Sequence, residues 1–209
     1  TQICNTDEAN TKEDSPVKGK IHGAADTGDD FDAFRDLDHT NETTQQNVKV
    51  YLDYLKNEIG YAGFRYDMVK GYAAEYTKMY NESAQPTYSV GECWDGLTTI
   101  KNWIDNTGKT SAAFDFEFKS MVNKAFNHEE TSWEKLANYT SNTLIGTGYA
   151  KYAITFLDNH DTYRKTDEKD GILKKNVEAA NAYLLTMPGT PCVYLPHYQA
   201  YKKAIKKFV

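Results

Sequence analysis

The chain has 209 residues and a formal net charge of −6, a length that suits one domain or at most two small ones. The acidic balance argues against nucleic acid as the main partner. No run approaches 18 apolar residues, so nothing in the sequence spans a membrane.

In chain order, residues 1–35 are polar, rich in Gly and Asp, and without periodicity; they read as an irregular acidic region ahead of the domain proper at 36–209. Val48, Tyr51, Leu52, Leu55 and Ile59 then fall on one helical face, with Gly60 available to end the helix. GFRYD, Gly63 to Asp67, reads as a buried strand, and Ala73, Tyr76, Met79 and Tyr80 return to helical spacing. Further strands are expected at Pro86–Glu92, Ser111–Phe116, Tyr152–Asp158 and Thr190–Leu195. Helices are expected at about 97–105, Phe118–Phe126, Trp133–Tyr139, Leu173–Leu184 and Tyr201–Val209. Strand alternates with helix throughout, which predicts βα units on a parallel sheet. The continuous apolar character of the strands fits burial on both faces.

Three cysteines give no disulfide framework. Cys93 and Cys192 lie in apolar runs and are expected to be buried as small hydrophobes. No Cys or His spacing of a zinc site occurs. Aromatic residues make up 13% of the chain, a content that suits both sugar stacking and a well-filled core. The chain starts with Thr rather than Met and is expected to be a processed product or a piece of a longer protein.

Polar residues collect where the strands end. The first strand ends at Asp67, the second at Glu92, and the fourth in DNHD, Asp158 to Asp161. Right-handed crossovers place all of these ends on one side of the sheet, where parallel α/β folds bind ligands. Arg65 and Asp67 share one side of their strand, and a paired cation favours an ionised carboxylate. Glu92 lies between Val90 and Trp94, a setting that disfavours the charged form. One ionised and one protonated carboxyl fit glycoside hydrolysis; a carboxylate site for a divalent metal is the alternative.

The ordered blocks GFRYDMVKGY, VGECWDG and FLDNHDT resemble the α-amylase family of retaining glycosidases, in particular its plant-type members. DTGDDFDAFRDLDHTN, GYAAEYTKMY and GTPCVYLPHY agree with it, and the resemblance extends from about residue 20 to the end. It implies retaining hydrolysis of α-1,4-glucosidic bonds in starch-like glucans or maltooligosaccharides. By this resemblance Asp67 is the nucleophile, Glu92 the acid and then the base, and Asp161 the transition-state stabiliser. Arg65 holds the nucleophile ionised, His160 bonds the reacting sugar, and Lys70 and Trp94 contact the leaving-group side. The resemblance also implies Ca²⁺ held by the side chains of Asp26 and Asp36 and the carbonyls of Asp29, Phe31, Phe34 and Gly71.

The family fold is a (β/α)₈ barrel. The five strands expected here correspond to its fourth through eighth. The implied architecture is therefore a partial (β/α)₈ barrel whose first three strands, and the C-terminal β-domain, are missing. A monomeric, extracellular or cell-envelope parent enzyme is the accompanying expectation. A related α-glucan transglycosylase or glucosidase, and an inactive glucan-binding fragment, are the rival readings.

Overall fold

A computed structural model describes residues 1–29, 31–32, 34–127, 132–137, 139–163 and 171–209. They form two units, one of Thr1–Cys93 with Trp103–Ser111, the other of Trp94–Asn102 with Ala112–Val209.

In the first unit a single helical turn, α1 (Glu8–Thr11), interrupts an otherwise irregular start and is capped by the Asp7 carboxylate on the Ala9 N–H. Helix α2 (Glu42–Asn57) begins where Asn41 accepts the N–H groups of Thr43 and Thr44. Its Leu52, with Val48 and Leu55, packs against Phe64, Tyr76 and Tyr80. Tyr51 and Ile59, expected on the same apolar stripe, are exposed instead. Strand β1 (Gly63–Tyr66) runs parallel to β2 (Tyr88–Gly91), Gly63 opposite Tyr88 and Tyr66 opposite Gly91. Helix α3 (Ala74–Ala84) forms the crossover and buries Tyr76 and Tyr80. A hydrogen-bonded chain pins strand to helix: the Tyr66 hydroxyl donates to Asn81, whose amide donates to Ser89, which meets Ser111. At Gly91 a Cβ would lie 2.2 Å from Cη2 of Trp103, so only glycine lets helix α4 (Leu97–Asn106) approach there.

In the second unit β4 (Ala153–Phe156) pairs in parallel with both β3 (Ala112–Phe114) and β5 (Thr190–Cys192). All four residues of β4 are buried. Helices α5 (Phe116–Phe126), α6 (Ser132–Ala137), α7 (Val177–Thr186) and α8 (Leu195–Ile205) complete it. The core centres on Phe156, edge-on to both Phe114 and Phe116. Asp115 caps α5 through the Phe118 N–H, and its second oxygen accepts the N–H groups of Leu144 and Ile145. One buried carboxylate thus ties a helix start to a distant loop. Burial pushes its carboxyl up to about 6, against the pull of those three donors.

The β1–β2, β3–β4 and β4–β5 pairings are all parallel, so the α/β reading with five parallel strands holds. Three expectations need correction. Helix α8 begins at Leu195 rather than Tyr201, because Pro196 in its first turn presets the helical φ; Tyr201 is instead the kink, at φ −119°. Cys192 is exposed, since β5 finds a partner only in β4 among the described residues, whereas Cys93 is fully buried as expected. The strands are also shorter than their apolar runs, and Asp67 falls just beyond β1.

Candidate active site

Arg65 brings two carboxyls together. Its Nη1 pairs with Asp67 Oδ1, and its Nη2 lies 3.1 Å from Glu92 Oε1. One guanidinium thus holds the Asp67 and Glu92 carboxyls on its two arms. Register explains the meeting: Arg65 stands opposite Val90, so the residues that follow β1 and β2 emerge side by side. The expected buried Arg–Asp pair is corrected by exposure. The Asp67 side chain is 67% exposed, that of Glu92 only 7%. β1 stops at Tyr66, so Asp67 sits in the turn beyond it, while Glu92 stays in the packed interior.

Burial is the main force raising the Glu92 carboxyl above the ordinary carboxylate range. The Arg65 charge opposes it and Asp67 adds to it. The carboxyl that is disposed to keep its proton is therefore the one beside an exposed partner acid.

Met68 stands between the two in the left-handed region, at φ 42° and ψ 49°. A non-glycine residue there is strained. The turn aims the Met68 N–H at Glu92 Oε2, 3.3 Å away, and the Val69 N–H at the Glu92 carbonyl, 3.2 Å. Nothing in the sequence marks Met68 for this conformation, and sequence reasoning missed it. Lys70 follows in a 3₁₀ turn, Val69–Gly71, and pairs with Asp29 at 3.4 Å.

The DNHD segment, in the second unit, divides into two jobs. Asp158 is buried and structural: it accepts the Leu173 N–H at 3.1 Å and pairs with His197 Nε2 at 3.1 Å. Asn159 turns the chain by accepting the N–H groups of Asp161 and Thr162 through its side chain. That turn presents His160 and Asp161 outward as a pair, 3.2 Å apart, with side-chain exposures of 72% and 42%. His197 and Asn159 carry this loop, and neither was singled out from the sequence. Trp94 stacks on Phe116, rings 5.1 Å apart and 8° from parallel.

The residues expected to hold Ca²⁺ lie in the first unit. Asp36 and Gly71 line one cavity of about 180 Å³. Asp26 accepts the N–H groups of Thr27 and Gly28 on Oδ1, while its buried Oδ2 meets no hydrogen-bond donor among the described residues. Gly28 lies so close to the 70–72 turn that a Cβ would sit 2.2 Å from the Lys70 carbonyl. The tightest acidic group differs from the expected one: oxygens of Asp7, Glu8 and Asp36 lie within 4.8 Å of one another, with Arg35 bridging Asp7 and Glu8. The buried Cys4 thiol is pushed up to about 12, chiefly by burial and then by Asp26, Asp38, Asp36 and Asp7. Asp26 does not line the cavity of Asp36 and Gly71, which is walled largely by Phe31, Phe34, Leu37, Met68 and Tyr72. The feature that suits a hard divalent cation is the orphaned buried oxygen of Asp26 itself.

Residues 29–203 match the family described as the alpha-amylase catalytic domain. The chain is 34% identical over 198 residues to Probable alpha-amylase 2 of Arabidopsis thaliana, covering 88% of this chain and 47% of that protein. It is 31% identical over 166 residues to a glucan 1,4-alpha-maltotetraohydrolase of Stutzerimonas stutzeri, covering 68% of this chain and 28% of that one. The structure of an alpha-amylase from Malbranchea cinnamomea superposes with a TM-score of 0.63 at 17% identity, over 89% of this chain and 41% of its own, a likeness of fold. The chain spans less than half the length of these relatives.

Proposed function

The chain belongs to the alpha-amylase family, and from that premise we propose that it supplies the nucleophile and acid/base half of a retaining α-1,4-glucan hydrolase site. The observation that carries this reading is the Arg65-bridged contact of Asp67 with Glu92. Retaining chemistry uses two carboxyls only about 5–5.5 Å apart, without room for an intervening water. Asp67, exposed and paired with Arg65, attacks the anomeric carbon as an ionised carboxylate. Glu92 protonates the leaving oxygen and later deprotonates the water that releases the sugar. His160 and Asp161, presented together by the Asn159 turn, are assigned to the hydroxyls of the reacting sugar, and Lys70 and Trp94 to the leaving-group side. The test is the anomeric form of the first sugar released from soluble starch, read by proton NMR. An α-anomer is expected; a β-anomer overturns the retaining assignment.

Asp26, Asp36 and the Gly71 carbonyl are assigned to Ca²⁺, supported by the buried unsatisfied Asp26 oxygen and the cavity shared by Asp36 and Gly71. With Asp26, Asp36 and the Gly71 carbonyl holding it, Ca²⁺ would supply positive charge joining the acidic loop to the turn that follows Asp67. Ligand held only by the folded state stabilises it, by about 2.7 kcal/mol at a hundredfold excess over Kd. Chelation with EDTA is expected to lower the melting temperature by roughly 5–10 °C, and added Ca²⁺ to restore it. A melt indifferent to both removes calcium from this loop.

A further inference from the structure

The loop that presents His160 and Asp161 rests on the start of α8 at both of its ends. At the near end the buried Asp158 carboxylate meets His197 Nε2 at 3.1 Å. At the far end the Tyr163 ring lies against that of Tyr194, centroids 5.3 Å apart. The Tyr194 ring in turn stands edge-on to His197, at 5.4 Å and 89°. Tyr194 and His197 are thus one support, a single helical turn long. Between the two ends the loop closes on itself, because Asn159 Oδ1 accepts the N–H groups of Asp161 and Thr162 and the Thr162 hydroxyl. A third grip comes from α5. The Asn123 amide nitrogen lies 2.9 Å from the Leu157 carbonyl, 3.2 Å from that of Gly171 and 3.4 Å from Asp158 Oδ1.

These are costly groups to bury. With Nε2 donating to Asp158, the His197 Nδ1 is an acceptor, and this buried nitrogen meets no donor among the described residues. The buried Asn123 Oδ1 is unmatched in the same way. An apolar side chain of similar volume in place of His197, with one in place of Asp158, would fill the space without that penalty. What the His–Asp bond offers and apolar packing does not is direction. It fixes where Asp158 lies, and with it the turn that follows.

We propose that His197 and Tyr194 are positioning residues for the His160–Asp161 pair, acting through Asp158 and Tyr163, with Asn123 holding the same carboxylate from α5. The use made of that pair rests on the hydrolase reading above, but the first test needs no turnover.

Backbone ¹⁵N relaxation of the 209-residue chain reads the loop directly. In the unaltered chain the order parameters of His160, Asp161 and Thr162 are expected in the rigid range, about 0.85. His197→Leu should lower them below about 0.6 while those of β4 stay rigid. His197→Gln, whose amide nitrogen can stand where Nε2 stood, should restore them. Tyr194→Ala, at a half-buried position, should loosen the loop as well, and Tyr194→Phe, which keeps the ring, should not. If His197→Leu does not fold, the Tyr194 pair decides alone. On soluble starch the loosened variants are expected to lose about tenfold to hundredfold in kcat with KM within about twofold, as for a group displaced from its place in the transition state. A loop already mobile in the unaltered chain, order lost equally in β4, no recovery in His197→Gln, or full kcat with a loosened loop overturns the positioning role. Loosening confined to the loop, in a chain whose unaltered form releases no reducing sugar, upholds that role and sinks the hydrolase reading alone.

Discussion

Glu92→Gln is expected to lower hydrolysis of soluble starch by about 10²–10⁴-fold while glucan binding persists. The amide keeps the shape of the carboxyl and can still accept the Met68 N–H now bound at 3.3 Å. It cannot deliver a proton to the leaving oxygen, and it cannot take one from water in the second step. The unaltered enzyme carries a further signature. Burial raises the Glu92 carboxyl above its ordinary range, so the acid form survives to higher pH than that of an exposed glutamate. Activity should accordingly fall on the alkaline side as pH passes through that raised value. Substrates with an activated leaving group need less protonation, so they should lose far less than starch does. Equal losses on both substrates would take the acid role away from Glu92.

Asp115→Ala should produce the largest loss of stability. The carboxylate caps α5 through Phe118 and holds Leu144 and Ile145 through its other oxygen. Loss of a cap costs about 1 kcal/mol, and each buried N–H left without an acceptor about 1–3 kcal/mol more. A sum of several kcal/mol is a large share of a typical total of about 5–15 kcal/mol. Asp115→Asn is no remedy, because its NH₂ must face either Phe118 or the Leu144–Ile145 pair. The pH dependence identifies the group. Burial raises the folded carboxyl to about 6 from an ordinary 3.8, so its protonation favours the fold. That contribution is complete below the ordinary value and is lost as pH rises toward about 6. Urea midpoints of the unaltered chain should show this fall, and Asp115→Ala should be less stable at every pH and lack it. A midpoint unchanged by the substitution would reduce Asp115 to an incidental contact.

Much of this was legible in the sequence because periodicity and strand-end polarity survive without coordinates. The alternation of apolar runs announced the βα units, and Asp67, Glu92 and the DNHD block stood out as acids following buried strands. What stayed hidden depends on distance or exposure. The split of DNHD into a buried Asp158 tied to His197 and an outward His160–Asp161 pair needs the position of α8, nearly forty residues downstream. The acidic trio of Asp7, Glu8 and Asp36 likewise joins residues far apart in the chain. Exposure misled in the other direction: CVYL reads as interior, yet β5 is exposed along its length, because a sequence does not reveal how many neighbours a strand will have. Met68 is the hardest case, since no composition rule places a methionine at positive φ.

The single guanidinium of Arg65 is shared between Asp67, which the proposed reaction needs charged, and Glu92, which it needs to gain and lose a proton. While Glu92 holds its proton, its claim on Arg65 is weak, and the cation serves Asp67 almost alone. In the proposed reaction the proton leaves Glu92 as Asp67 bonds the sugar and gives up its charge, so Arg65 would pass to Glu92 as that group becomes the base. On that proposal the arginine is a counterweight that changes sides with the reaction, and a lysine, with one compact charge and no second arm, would have to choose.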